Sequence, residues 1–195
     1  MTAVIPAGVE TARDLVGPAL AAAVERLSPD VRNVAAYHLG LAGPEGPGGG
    51  TRGSRGARSR PPGAGKALRP ALTLLSARAA NAAPERGVPA AVAVELVHNF
   101  SLLHDDIMDG DTERRHRPTA WTVYGTGAAI LAGDAMLALA QDILLEDTAP
   151  QGVWAARALS AAVQRLIAGQ GADLAFEQRD DVSLAECLTM AGDKT

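Results

Sequence analysis

Apolar residues recur every three or four positions along most of this chain, and nowhere do they alternate over the length of a strand. A period of about 3.6 residues means helices that each carry one apolar stripe, and such stripes are buried stably only against one another. The spacing predicts a first helix over 10–27, running through Leu15, Val16, Ala19, Leu20, Ala23 and Leu27 and stopped by Ser28-Pro29. A second is expected over 30–39 with Asp30 as its N-cap. Others follow over 67–81, 89–109, 127–146 and 152–179, and Ser183 opens a last one. Aromatic residues make up 3% of the 195 positions against a hydrophobic share of 47%, so alanine and leucine must fill the core. The fold class expected is all-α, an antiparallel helical bundle.

A chain of this length suits one domain with one core, arranged as N-terminal helices over 1–39, a flexible loop over 40–65 and a helical core over 66–195. The loop is mostly glycine, proline, serine and arginine, with too few apolar side chains to offset the entropy of ordering it. Arg52, Arg55, Arg58 and Arg60 within it invite comparison with an RNA-binding tail, but no aromatics are interleaved. A net charge of −4 supplies no general attraction to polyanions, so no nucleic-acid partner is expected. The single cysteine, Cys187, rules out an intrachain disulfide and suits a reducing cytoplasm. Residues 1–13 lack the pattern of a signal peptide, and the best apolar run, 125–140, is broken by Asp134. A soluble protein without stable membrane insertion is the expectation.

The chemistry concentrates in Leu102-Leu103-His104-Asp105-Asp106-Ile107-Met108-Asp109, where an apolar helix ends in three carboxylates. At about 100° per residue, Asp105 and Asp109 share a face one turn apart with Asp106 beside them. Clustered anions at a helix C-terminus oppose the macrodipole and one another, and a cation reverses that cost. Mg²⁺ is commonly held by one or two carboxylates plus substrate phosphates, and the cluster offers that partial shell. The alternative is a solvated acidic helix end. A calcium loop is excluded, because Ile107 stands where an oxygen ligand is needed and His116 occupies the twelfth position. Arg114, Arg115 and Arg117 follow closely, and guanidinium groups hold phosphate oxygens through paired donors. Upstream, Gly65-Lys66-Ala67-Leu68-Arg69-Pro70 sets Lys66 and Arg69 at a helix start that favours anions. It is not a nucleotide P-loop: Ala67 follows the lysine, and Arg60 replaces the first glycine.

These stretches, with Glu95 to Trp121, Gly169-Gln170-Gly171-Ala172-Asp173 and Lys194-Thr195, resemble the trans-isoprenyl diphosphate synthases, or polyprenyl synthetases, from Gly65 onward. The resemblance implies Mg²⁺-dependent condensation of isopentenyl diphosphate with an allylic diphosphate by a soluble homodimer of the isoprenoid synthase fold. Asp105 and Asp109 would bind Mg²⁺, with Asp106 supporting them, and Arg114 would hold the allylic diphosphate. Lys66, Arg69, Arg115 and His98 match the pocket for isopentenyl diphosphate. Gln170 and Asp173 match a motif facing the metals, and Lys194 and Thr195 match a pair that touches the allylic diphosphate and the forming carbocation. Phe100 and Ser101, five and four positions before Asp105, match positions that set product length and suggest a C20 product. Terpene cyclases share the aspartate motif, but the lysine-arginine element disfavours them. Family members also carry a second aspartate-rich motif on a later helix, and this sequence reaches Thr195 without one. A C-terminally incomplete bundle is therefore expected, whose wet apolar stripes promote association and which alone transfers little or no prenyl group. A non-catalytic subunit is the competing reading.

Overall fold

The computed structural model describes residues 7–44 and 67–194. Lys66, Thr195 and most of the expected loop, from residue 45 on, lie outside the described residues. Among those described, the chain forms eight α-helices and one small hairpin: α1 (Ala7–Val24), α2 (Pro29–His38), α3 (Leu68–Ala79), α4 (Val88–Met108), β1 (Glu113–Arg114), β2 (Arg117–Pro118), α5 (Ala120–Tyr124), α6 (Thr126–Leu145), α7 (Pro150–Phe176) and α8 (Leu184–Lys194). The all-α expectation holds, and each long helix falls within a few residues of its expected range. The hairpin, α5 and a single 3-10 turn over Pro84–Gly87 are additions. The N-cap of α2 is Ser28, with Pro29 opening the helix, so Asp30 sits inside its first turn and caps nothing. Proline suits that place because the first helical N–H has no intrahelical acceptor.

The chain divides into two compact units, the first ending at Leu144 and the second beginning at Leu145. The boundary falls at the end of α6, next to the break expected between 146 and 152. In the first unit α1, α3 and α4 pack on one another. The α4 helix is buried around much of its circumference: Ala91, Ala93, Leu96 and Leu103 are fully buried. Each leucine so buried contributes roughly 1.5–3 kcal/mol. α6 is long and apolar enough to cross a membrane by length and composition alone. In this fold Ala129, Ala132, Met136 and Ala140 of that helix are fully buried. Gly133 faces His104 of α4 so closely that an added Cβ would lie 2.7 Å from His104 Cδ2.

Three helices end in the same way. Gly40 after α2, Asn81 after α3 and Gly110 after α4 take positive φ. The next amide then bonds back five residues: Leu41 N–H to Ala36, Ala82 N–H to Ala77 and Asp111 N–H to Asp106. These are Schellman caps, which satisfy terminal carbonyls and reverse the chain sharply. The cap on α4 turns the acidic segment directly into the hairpin. In the second unit α7 packs on α8, and an added Cβ at Gly169 would meet the Lys194 amide nitrogen at 2.5 Å. Trp154 of α7 is 73% exposed.

Candidate active site

At the end of α4 the three carboxylates have three different fates. Asp109 is the exposed C-cap residue, Asp105 is partly buried, and Asp106 turns inward with 1% exposure. Arg114, on β1, donates from Nε to Asp106 Oδ1 at 2.5 Å. Its Nη2 stands 4.0 Å from Asp105 Oδ2 and 3.9 Å from Asp111 Oδ2, so one guanidinium is shared among three acids. Burial pushes the Asp106 carboxyl above its ordinary range, while the Arg114 hydrogen bond and charge pull it back. The second oxygen, Asp106 Oδ2, is buried with no hydrogen-bond partner among the described residues. No group of three His, Cys, Asp or Glu side chains among the described residues stands close enough to hold a metal by itself. The guanidinium supplies the positive charge inside the cluster instead.

The hairpin behind Arg114 is anchored at its base and at its far strand. Thr119 bonds to Thr112 through its amide and to the Asp111 carbonyl through its hydroxyl, and the Trp121 indole donates to that same carbonyl at 2.7 Å. On the other side, the buried Tyr37 of α2 donates its hydroxyl to the Pro118 carbonyl at 2.9 Å. The Arg117 guanidinium lies 4.3 Å above the Tyr37 ring centre. These contacts bring Arg114, Arg115 and Arg117 to one pocket with Tyr37, His38 and Asp106.

Two histidines share this positive surround. His98, on α4, has Nε2 3.4 Å from Arg69 Nη1 at the start of α3. Burial, then Arg69, Arg115 and Arg114, lower its pKa to about 4. His38, at the end of α2, falls to about 3 through burial and then Arg114, Arg115, His98 and Arg117. Both are therefore neutral near pH 7 and able to donate or accept one hydrogen bond. Glu95, one turn before His98 and Asn99, is raised by burial against the lowering effects of Asn99, Arg69 and Arg115.

Elsewhere on α4, Phe100 is 6% exposed and meets His104 edge-on at 4.9 Å between ring centres. Ser101 donates its hydroxyl to the His98 carbonyl. In the second unit, Lys194 Nζ and Asp173 Oδ2 are 2.5 Å apart, and Gln170 Nε2 is buried without a hydrogen-bond partner among the described residues. Of the residues that sequence reasoning assigned to the two diphosphate sites, Arg69, His98, Asp105, Asp106, Asp109, Arg114 and Arg115 lie in the first unit and Gln170, Asp173 and Lys194 in the second. That reasoning missed Tyr37, His38, Glu95 and the use of Arg117. Nothing local marks Tyr37 or His38, because their partners lie some 80 residues downstream.

The family model described as Polyprenyl synthetase matches residues 61–195. The chain belongs to the polyprenyl synthetase family. A relative from Mycobacterium tuberculosis H37Rv, a (2E,6E)-farnesyl diphosphate synthase, is 50% identical over 186 residues, covering 94% of this chain and 48% of that protein. A geranylgeranyl diphosphate synthase of the same strain is 40% identical over 190 residues, covering 96% and 51%. Among solved polyprenyl synthetases, the Streptomyces coelicolor A3(2) structure matches with a TM-score of 0.86 and 51% identity, covering 98% of this chain and 54% of that one. The chain thus spans about half the length of the family members it matches.

Proposed function

We propose that this chain supplies diphosphate- and Mg²⁺-binding residues to a prenyltransferase that joins isopentenyl diphosphate to an allylic diphosphate. One observation carries the reading: an acidic helix end interleaved with Arg114 stands beside Arg115 and an Arg69–His98 pair in a single unit. The farnesyl and geranylgeranyl diphosphate synthases named above support it.

The donor set fits Mg²⁺ by its chemistry, being hard carboxylate oxygens with one buried oxygen of Asp106 left without a hydrogen bond. Asp105 and Asp109 would hold the ion, and when bound it would neutralise charge developing on a departing diphosphate. Arg114 adds bidentate donors to the allylic diphosphate, already oriented by Asp106. Arg69, Arg115 and neutral His98 address the diphosphate of isopentenyl diphosphate, with Lys66 assigned there by resemblance. For Lys194 to meet a phosphate or Asp173 a cation, their mutual ion pair must open. The reaction needs no side-chain nucleophile, since electrostatic stabilisation of the leaving group suffices. Phe100 with the small Ser101 beside it, at the positions that resemblance ties to product length, supports a C20 product within this reading.

Titration calorimetry of the chain with a non-hydrolysable allylic diphosphate analogue tests the assignment. Binding should require Mg²⁺ and weaken by at least about tenfold in Asp105→Ala, a loss of about 1.4 kcal/mol or more. Equal affinity in Mg²⁺ and in chelator would refute it.

A further inference from the structure

The turn that presents Arg115 is held in a conformation its own residues disfavour. Arg115 and His116, the two residues between β1 and β2, have φ of 54° and 61°. A two-residue antiparallel turn demands this left-handed pair, and glycine or asparagine ordinarily supplies it. For other residues the left-handed region is strained and persists only where the surroundings enforce it. The His116 side chain gives little in return, being fully exposed with its closest charged partner, Glu113, 3.7 Å away.

The enforcement comes from α2 and the residues after it, with α5 bracing Tyr37 from behind. Arg117 directly follows the strained pair, and its guanidinium both stacks on Tyr37 at 4.3 Å and donates to the Ala42 carbonyl at 3.4 Å. Pro118 receives the Tyr37 hydroxyl at 2.9 Å. Tyr37 is itself 4% exposed and braced edge-on by Tyr124, with ring centres 5.5 Å apart. Tyr124 is tied in turn to the Pro44 carbonyl at 2.9 Å. A cation–π contact and two hydrogen bonds from side chains to carbonyls thus converge on two consecutive residues of β2.

We propose that Tyr37 and Arg117 are positioning residues for the arginine pair, clamping the strained turn so that Arg114 stays on Asp106 and Arg115 stays in the pocket. The inference deepens the function proposed above and rests on it for the ligand, while the clamp itself is testable without one.

The experiment uses the full chain, inorganic diphosphate with Mg²⁺ in calorimetry, and the rate of trypsin cleavage after Arg115 followed by mass spectrometry. Tyr37→Leu and Arg117→Gln are each made alone and together with His116→Gly, which permits positive φ without a Cβ penalty. Each clamp variant should weaken diphosphate binding by about tenfold and speed cleavage after Arg115. Adding His116→Gly should restore both readouts to within about threefold of the parent, because a turn relieved at one of its two left-handed positions depends less on the clamp. A purely structural role for Tyr37 would not be rescued this way. Unchanged binding and cleavage in both clamp variants, or loss that His116→Gly does not recover, overturns the proposal. If Tyr37→Leu fails to fold by circular dichroism, the partly exposed Arg117 decides through Arg117→Gln. If the parent chain binds no diphosphate, the function proposed above fails, and the cleavage rates alone judge the clamp.

Discussion

Acidification should destabilise this protein through two histidines before its carboxylates titrate out. His38 and His98 have pKa values of about 3 and about 4 in the folded chain against an ordinary 6.5. As pH falls through 6.5 the unfolded chain takes up these protons and the folded chain refuses them, so stability is lost progressively until the folded values are reached. At about pH 5 His38 favours the unfolded state by about 2 kcal/mol, since one pH unit is 1.36 kcal/mol and the window there is about 1.5 units, and the more exposed His98 adds less because solvent screens it. Even the His38 share alone is a sizeable part of the 5–15 kcal/mol typical of a domain. Glu95 and Asp106 act in the opposite sense, because their raised carboxyls hold protons more tightly when folded and return some stability as pH falls. Glu186, lowered to about 2, adds loss only below its ordinary 4.5. Urea unfolding at about pH 7.5, 6.5, 5.5 and 5.0 reads the effect, and His38→Gln should flatten the slope more than His98→Gln does. A flat parent profile across that range, or identical slopes in parent and variants, would refute the reasoning.

Gly133→Ala should cost about 1–3 kcal/mol in thermal unfolding because its methyl group collides with the His104 ring, whereas Gly17→Ala, facing open space within α1, should gain roughly 0.5–1 kcal/mol. Loss of stability in both variants alike would remove the steric explanation. In any catalytically active form containing this segment, Phe100→Ala should lengthen the prenyl product by removing a buried ring from α4. Chromatography of the extracted products checks this, and an unchanged chain length would sink the role given to Phe100.

The helices were legible because a 3.6-residue period survives in any window long enough to hold three turns, and α4 announced its chemistry by ending an apolar run in acids. Individual carboxylates were harder to assign. Asp106 is only about 100° around the helix from Asp105, yet that rotation carries it from the solvent edge to the interior, where it anchors Arg114. The hairpin was invisible because its strands have two residues each and lack any turn sequence, its left-handed positions being Arg115 and His116. Tyr37 and His38 read as the unremarked end of a short helix. Their importance comes from a partner 81 positions away in the case of Tyr37, and from arginines at a similar separation in the case of His38. Local pattern carries no information about such meetings. Arg117, eight positions past Asp109 and two past Arg115, likewise gave no hint that it would lie on a tyrosine ring.

The gap at Gly169 fixes how far α8 can slide along α7. Only where α7 lacks a side chain can the backbone of Asp193 and Lys194 come this near, an added Cβ lying 2.9 Å and 2.5 Å from their atoms. Asp173 is one turn further along α7, on the same face, and takes the Lys194 ammonium. Displacing α8 by a turn, about 5.4 Å, would set its backbone against a side chain and leave Asp173 facing a different residue. One missing methyl group thus works as a detent: it registers the two helices and decides where the charge of Lys194 stands.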